Sequence, residues 1–177
     1  MSKRSTPSTS DLPYRPCVGV ILVNSHGKVF MGWRKDFAKK DPHGQNWQMP
    51  QGGIDDGEHP QDAALRELHE ETNVTSIRVL GQSADWLTYD LPAQIRGKAL
   101  KGRYRGQKQK WFVLAFDGDE SEIDVLKPGG GLHKAEFSDW KWVDFHEVSD
   151  LIVPFKRHVY EALVAEFGPM IAELSRT

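Results

Sequence analysis

Between residues 50 and 74 the chain changes its periodicity, and this switch narrows the possible folds more than any other feature. Pro50 stops a short apolar run, Gln51-Gly52-Gly53 follows, and from Pro60 the sequence reads PQDAALRELHEETNV. The glycines let a loop turn tightly or approach a ligand. Proline suits a first helical turn, Ala, Leu, Arg and Glu propagate the helix, and Asn73 suits a left-handed C-cap. At about 100° per residue, Ala64, Leu65, Leu68 and Thr72 share one arc, while Glu67, Glu70 and Glu71 cluster in the next. One face packs and its neighbour collects negative charge. Like charges three and four residues apart oppose an isolated helix by about 0.2–0.5 kcal/mol per pair, so they call for compensation. A bound cation is the simplest candidate, and a solvated acidic face is the alternative. An oxygen-only donor set suits Mg²⁺, or Mn²⁺ in its place, and no Cys/His cluster competes for zinc.

The rest of the chain reads mainly as strands. Residues 18–24 and 28–33 flank Ser25-His26-Gly27 as a hairpin, 34–46 form an exposed loop, and 47–49 form a short strand. Further strands are expected at 77–80, 86–89, 111–116 and 137–143, with an amphipathic helix from near Phe155 past Glu166. There is no internal repeat. With 177 residues, 38% hydrophobic and 27% charged, the expectation is one globular domain over 13–172. Residues 1–12, rich in Ser and Thr, read as a disordered tail. The apolar runs 18–23 and 111–116 are too short to span a membrane, and the single cysteine, Cys17, reads as a small core residue in a reducing compartment. A cytoplasmic location follows as the expectation. The net charge of −2 argues against general nucleic-acid affinity, yet residues 96–110 hold seven basic and no acidic residues. That stretch reads as a track for a phosphate backbone, with Tyr104 or Trp111 available for stacking, or as a solvated loop.

Gly52-Gly53-Ile54-Asp55-Asp56-Gly57-Glu58 through Arg66-Glu67-Leu68-His69-Glu70-Glu71-Thr72-Asn73-Val74 closely resembles the Nudix box, departing only where Asn73 replaces the last glycine. The resemblance implies an α+β fold, an α/β/α sandwich with a mixed, curved sheet, and metal-dependent hydrolysis of phosphoanhydrides. It implies metal ligands at Glu67, Glu70 and Glu71, with Arg66 restraining Glu67 and Glu58 acting as a structural partner. The general base falls among Glu67, Glu71 and Glu136. A shielded phosphoanhydride needs cations to neutralise its oxygens and a positioned water.

Tyr14-Arg15-Pro16, the run 47–53, Gly106-Gln107-Lys108-Gln109-Lys110-Trp111-Phe112 and Phe155-Lys156-Arg157 extend the resemblance to the bacterial RNA pyrophosphohydrolases and related dinucleoside polyphosphate hydrolases. It implies phosphate contacts from Arg15 and Lys108, base stacking by Phe155, and a further metal ligand at Glu136. Gly52, Gly53 and Lys156 join the substrate-binding set. The residues alone leave alternatives: Phe155 as a core aromatic, Glu136 as a surface carboxylate, and an exposed His69. The expected substrate is 5′-phosphorylated RNA, as in RNA decay, or a dinucleoside polyphosphate. A non-catalytic nucleotide sensor is the rival class, against which all box glutamates are present. The loop 35–45 and Gly129–Gly131 have no assigned role.

Overall fold

Every run expected to be a strand is one, and the two longest lie side by side. The computed structural model describes residues 8–35 and 44–176. Strands β1 (Tyr14–Val23) and β2 (Val29–Arg34) are joined by the expected turn. There the Asn24 carboxamide oxygen accepts from the His26 and Lys28 amides, each at 3.0 Å. The hairpin is shorter than its sequence suggests, with Val23 opposite Val29 as its one ladder pair. Beyond it the strands part, and β3 (Trp47–Gln48) fills the gap on β2 while β4 (Gln51–Gly53) fills it on β1. The reading of 51–53 as a loop is therefore corrected. The edge of β1 needs hydrogen-bond partners, and two glycines let β4 approach closely enough to supply them.

The box helix α1 (Pro60–Thr72) follows, then β5 (Ile77–Gln82), β6 (Leu87–Asp90) and the short α2 (Ala93–Arg96). Strand β7 (Gly106–Phe116) runs parallel to β1 through ten pairs, from Tyr14↔Gly106 to Val23↔Ala115. Its other edge takes β6 and β5 antiparallel. Strand β8 (Phe137–Val143) covers the outer edge of β2, completing a mixed eight-stranded sheet. Two helices close the chain, α3 (Val148–Leu151) and α4 (Arg157–Leu174).

Alternation along the central strands makes the three layers. Val18, Val20 and Leu22 of β1, with Phe112 and Leu114 of β7, meet Ala64 and Leu68 of α1. Ile21, Val23, Trp111 and Val113 turn the other way, onto Val159, Tyr160, Leu163 and Phe167 of α4. Strands buried on both faces carry near-continuous apolar sequence, which is why these runs are legible. Cys17 is buried in the core, as expected. Of the expected tail, residues 1–7 lie outside the described residues and Thr9–Asp11 forms one 3-10 turn. Most of the 35–45 loop, residues 36–43, also lies outside them. Among the described residues, no helix is long and apolar enough to cross a membrane.

Candidate active site

Helix α1 is fixed at both ends. The His59 ring accepts from the Gln61 amide at 3.3 Å, and Asn73 takes the left-handed conformation, φ 69°, with its N–H on the His69 carbonyl at 2.9 Å. The Asn73 side chain adds what glycine cannot. Its amide donates to the Glu122 carbonyl and its oxygen accepts from Gly129 N–H, both at 3.0 Å. This gives Gly129 an anchoring contact that the sequence did not suggest.

The Arg66 guanidinium is fully occupied. It binds Glu58 with two hydrogen bonds, at 2.8 and 2.9 Å, and donates to Glu67 at 2.9 Å, Glu70 at 3.2 Å and the Gly53 carbonyl at 2.8 Å. The bond from Arg66, helped by the Asp55 amide, holds the Glu58 carboxyl down at about 2. Arg66 thus ties the start of the helix, β4 and two box glutamates into one rigid frame.

Beside this frame lies a cleft of about 320 Å³. It brings together Arg15, Gly52, Gly53, Glu67, Glu136, Phe155 and Lys156 from the sequence reading, and adds Arg34, Gln51, Tyr89, Gln107, Leu91, Ile95, Ala99 and Leu100. The two glycines have a steric purpose. A Cβ on Gly52 would collide with the Glu67 carboxylate, and one on Gly53 would collide with the Arg15 guanidinium. The bare β4 backbone therefore runs between the acidic and the basic side of the cleft.

On the acidic side, burial lifts the Glu67 carboxyl to about 7, against the opposing bond from Arg66. Glu71 is 1% exposed and is raised well above the usual carboxylate range, first by burial and then by the charges of Glu136 and Glu67. Neither of its oxygens has a hydrogen-bond partner of ordinary geometry; the Gln51 backbone and the Arg34 charge give only partial compensation. A buried carboxylate left this way is costly unless a cation balances it. With Glu67 and Glu136 near it, the donor set is all oxygen and fits a hard divalent cation. Glu70 instead turns to Arg66 and does not line the cleft. Among the described residues, the triplet whose donor atoms come within 4.8 Å of one another is Asp144, His146 and Glu147, where Asp144 is paired with Lys28. The box glutamates do not converge that tightly.

On the basic side, Lys156 is 7% exposed and donates to Gln48 at 3.0 Å. Burial, and then repulsion from Arg34, pushes its ammonium down to about 7. Its Nζ lies 5.2 Å from the Tyr89 ring centre, and the Tyr89 and Phe155 rings are 5.7 Å apart. Tyr160 pins the site from α4 through its hydroxyl, which bonds the Met49 amide at 3.0 Å. Gln109, 2% exposed, links the Gln51 and Gln107 side chains and accepts from the Trp111 indole at 3.1 Å.

Other residues of the sequence reading fall elsewhere. Lys108 alternates to the opposite side of β7 from Gln107, and its Nζ sits 5.5 Å from the Trp86 ring centre, outside the cleft. Trp111 is fully buried, so it cannot stack on a base. Arg105 is engaged within the protein, bonding Asp90 at 3.0 Å and lying 4.7 Å from the Tyr14 ring centre. His69 is partly buried, with its ring 6.2 Å from that of His133. Arg34, Tyr89 and Gln107 were not anticipated. Strand register brings two of them to the site, since Gln107 stands opposite both Arg15 and Tyr89, while Arg34 enters from the end of β2.

The chain is similar to known proteins over most of its length. An RNA pyrophosphohydrolase of Azorhizobium caulinodans is 57% identical over 157 residues, covering 89% of this chain and 94% of that protein. One from Rhodopseudomonas palustris (strain BisB18) is 54% identical over 166 residues, 94% of each chain. Among solved structures, the E. coli dihydroneopterin triphosphate pyrophosphohydrolase shares the fold, with TM-score 0.62 and 21% identity over 87% of this chain and 99% of that one. The NUDIX domain family matches residues 13–163, a span that contains every residue of the cleft from Arg15 to Lys156. The chain belongs to the Nudix family.

Proposed function

We propose that this Nudix hydrolase acts on the phosphorylated 5′ end of RNA, removing pyrophosphate or phosphate to leave a 5′-monophosphate, with Mg²⁺ as its metal. The observation that carries the reading is one cleft with a carboxylate side, Glu67 and Glu136 backed by the orphaned Glu71, and a cationic side, Arg15, Arg34 and Lys156. The relatives named RNA pyrophosphohydrolase, matching nearly the whole chain, support the choice of RNA.

A divalent cation held by Glu71, Glu67 and Glu136 would neutralise phosphate oxygens and lower the pKa of a bound water. The chain's own residues supply the rest. Arg15, Arg34 and Lys156 face the charge of a polyphosphate, and an anion among them offsets both the burial that chiefly depresses the Lys156 ammonium and the Arg34 repulsion that adds to it. Arg66 keeps Glu67 in one orientation. Of the glutamates weighed as general base, Glu67 and Glu136 line the cleft and Glu71 is buried behind them, so Glu67 and Glu136 are the two that face a water bound there.

The test is a side-by-side rate assay with Mg²⁺ on a 5′-triphosphorylated RNA oligomer and on diadenosine tetraphosphate, with products identified by mass and Glu71→Gln as control. Faster, Glu71-dependent formation of 5′-monophosphorylated RNA is expected. Preference for the dinucleotide would overturn the RNA assignment. Repeating the assay with Mn²⁺ decides the metal.

A further inference from the structure

Between β6 and β7 the chain makes an excursion, residues 91–105, whose base is firmly closed. Leu91 N–H donates to the Arg105 carbonyl at 2.8 Å, the Arg105 guanidinium bonds Asp90 at 3.0 Å, and Asp90 also accepts from the Tyr14 hydroxyl at 2.6 Å. Above this base, Leu91, Ile95, Ala99 and Leu100 line the cleft. They also pack, with Phe155 and Tyr89, on the apolar cluster beneath α4.

At its tip the backbone is strained. Leu100 and Lys101 are left-handed, φ 54° and 56°, and are followed by Gly102 at 66°. Asn73 is the one other described non-glycine residue with positive φ, and there a helix stop and two side-chain hydrogen bonds explain it. Leucine has no polar group to offset the steric penalty of its Cβ. Such strain persists where the surroundings over-determine it, and it clusters at ligand clamps. Here the strained backbone places Leu100 in the apolar part of the cleft lining, which also holds Leu91, Ile95, Ala99, Tyr89 and Phe155.

We propose that the excursion is a strap that holds Leu100 as one wall of an apolar subsite, shared with Ile95, Tyr89 and Phe155, which takes a nucleobase next to the phosphoanhydride. The proposal rests on the reading that the substrate is a nucleotide bearing a polyphosphate, and it deepens that reading by naming a residue that sets affinity for the base. An apolar wall lost from a base contact corresponds to about a tenfold change in affinity.

The experiment compares the wild-type chain with Leu100→Gly, Leu100→Asn and Leu100→Met by thermal melting and by KM and kcat, on whichever of triphosphorylated RNA and diadenosine tetraphosphate the wild type turns over. Gly and Asn both accept a left-handed backbone and both remove the apolar wall. The expected result is an unchanged or higher Tm for Leu100→Gly, with KM raised about tenfold in Gly and Asn, kcat within about twofold, and KM near wild type in Met. A fall in Tm that accounts for the lost activity would make Leu100 a packing residue. A raised Tm with unchanged KM would make the strain irrelevant to the substrate. Failure of the RNA reading shows separately, as wild-type preference for the dinucleotide, on which the same variants still decide the role of Leu100.

Discussion

Glu71 and Lys156 are the two most deeply buried charge-bearing side chains of the site, at 1% and 7% exposure, and each is held against its preferred ionisation. For Glu71 this predicts a separation of stability from activity. Glu71→Gln should raise the melting temperature measured in chelator, because a buried carboxyl disfavoured as an anion is replaced by a neutral amide, while lowering turnover on the order of 10²-fold or more. Added Mg²⁺ should stabilise the wild type, by mass action on the folded state, and leave the variant unmoved. For Lys156 the folded pKa, about 7, lies below the ordinary lysine value of 10.5, so between those limits the unfolded chain binds more protons and stability rises with pH. The wild type's melting temperature should therefore gain on that of Lys156→Met as pH rises from about 7 to about 9.5; a constant difference would contradict the burial argument. The box glutamates were legible because helical spacing writes their positions into the sequence. Arg34, Tyr89 and Gln107 were not, because β2, β6 and β7 bring them to one cleft only through long-range pairing.

At the scale of elements, α1 was readable to its last residue because its stop signal is local. Asn73 also fastens that helix to Glu122 and Gly129, which its φ preference alone does not reveal. Asn73→Gly should keep the left-handed backbone yet lose about 1 kcal/mol or more for the two missing bonds, and Asn73→Ala should lose more by adding strain, both measurable by urea denaturation. Strand β7 shows the opposite case. Its first half reads as polar, yet Gln107 and Gln109 are 6% and 2% exposed, satisfied by each other, by Gln51 and by the Trp111 indole. Buried polar side chains that pair across strands look like loop residues in a sequence, so only the apolar half, 111–116, was visible. Strand β4 was missed because its two glycines carry no strand propensity, and pairing with β1 alone makes them a strand.

For the whole molecule, the basic stretch 96–110 divides by role rather than acting as one track. Arg103 is exposed, whereas Arg105 is committed to Asp90 and Tyr14. Arg103→Ala should leave melting unchanged and reduce the slope of log affinity for RNA against log salt by about 1 if it meets a phosphate, while Arg105→Ala should lower the melting temperature. The three-layer sandwich was expected through the resemblance of residues 52–74 to the Nudix box, and the apolar runs of β1 and β7, buried on both faces, fit it. The central pairing, β1 beside β7, was not, because a parallel partner leaves no local mark. That ten-pair ladder joins residue 14 to residue 106 and also governs how the chain is born. On the ribosome, β1 emerges with its inner edge bare and stays so until some ninety residues more have been made, about 5–20 s at ordinary synthesis rates. Through that interval its apolar run is open to chaperones or to aggregation, and closing so long a loop makes the final assembly slow.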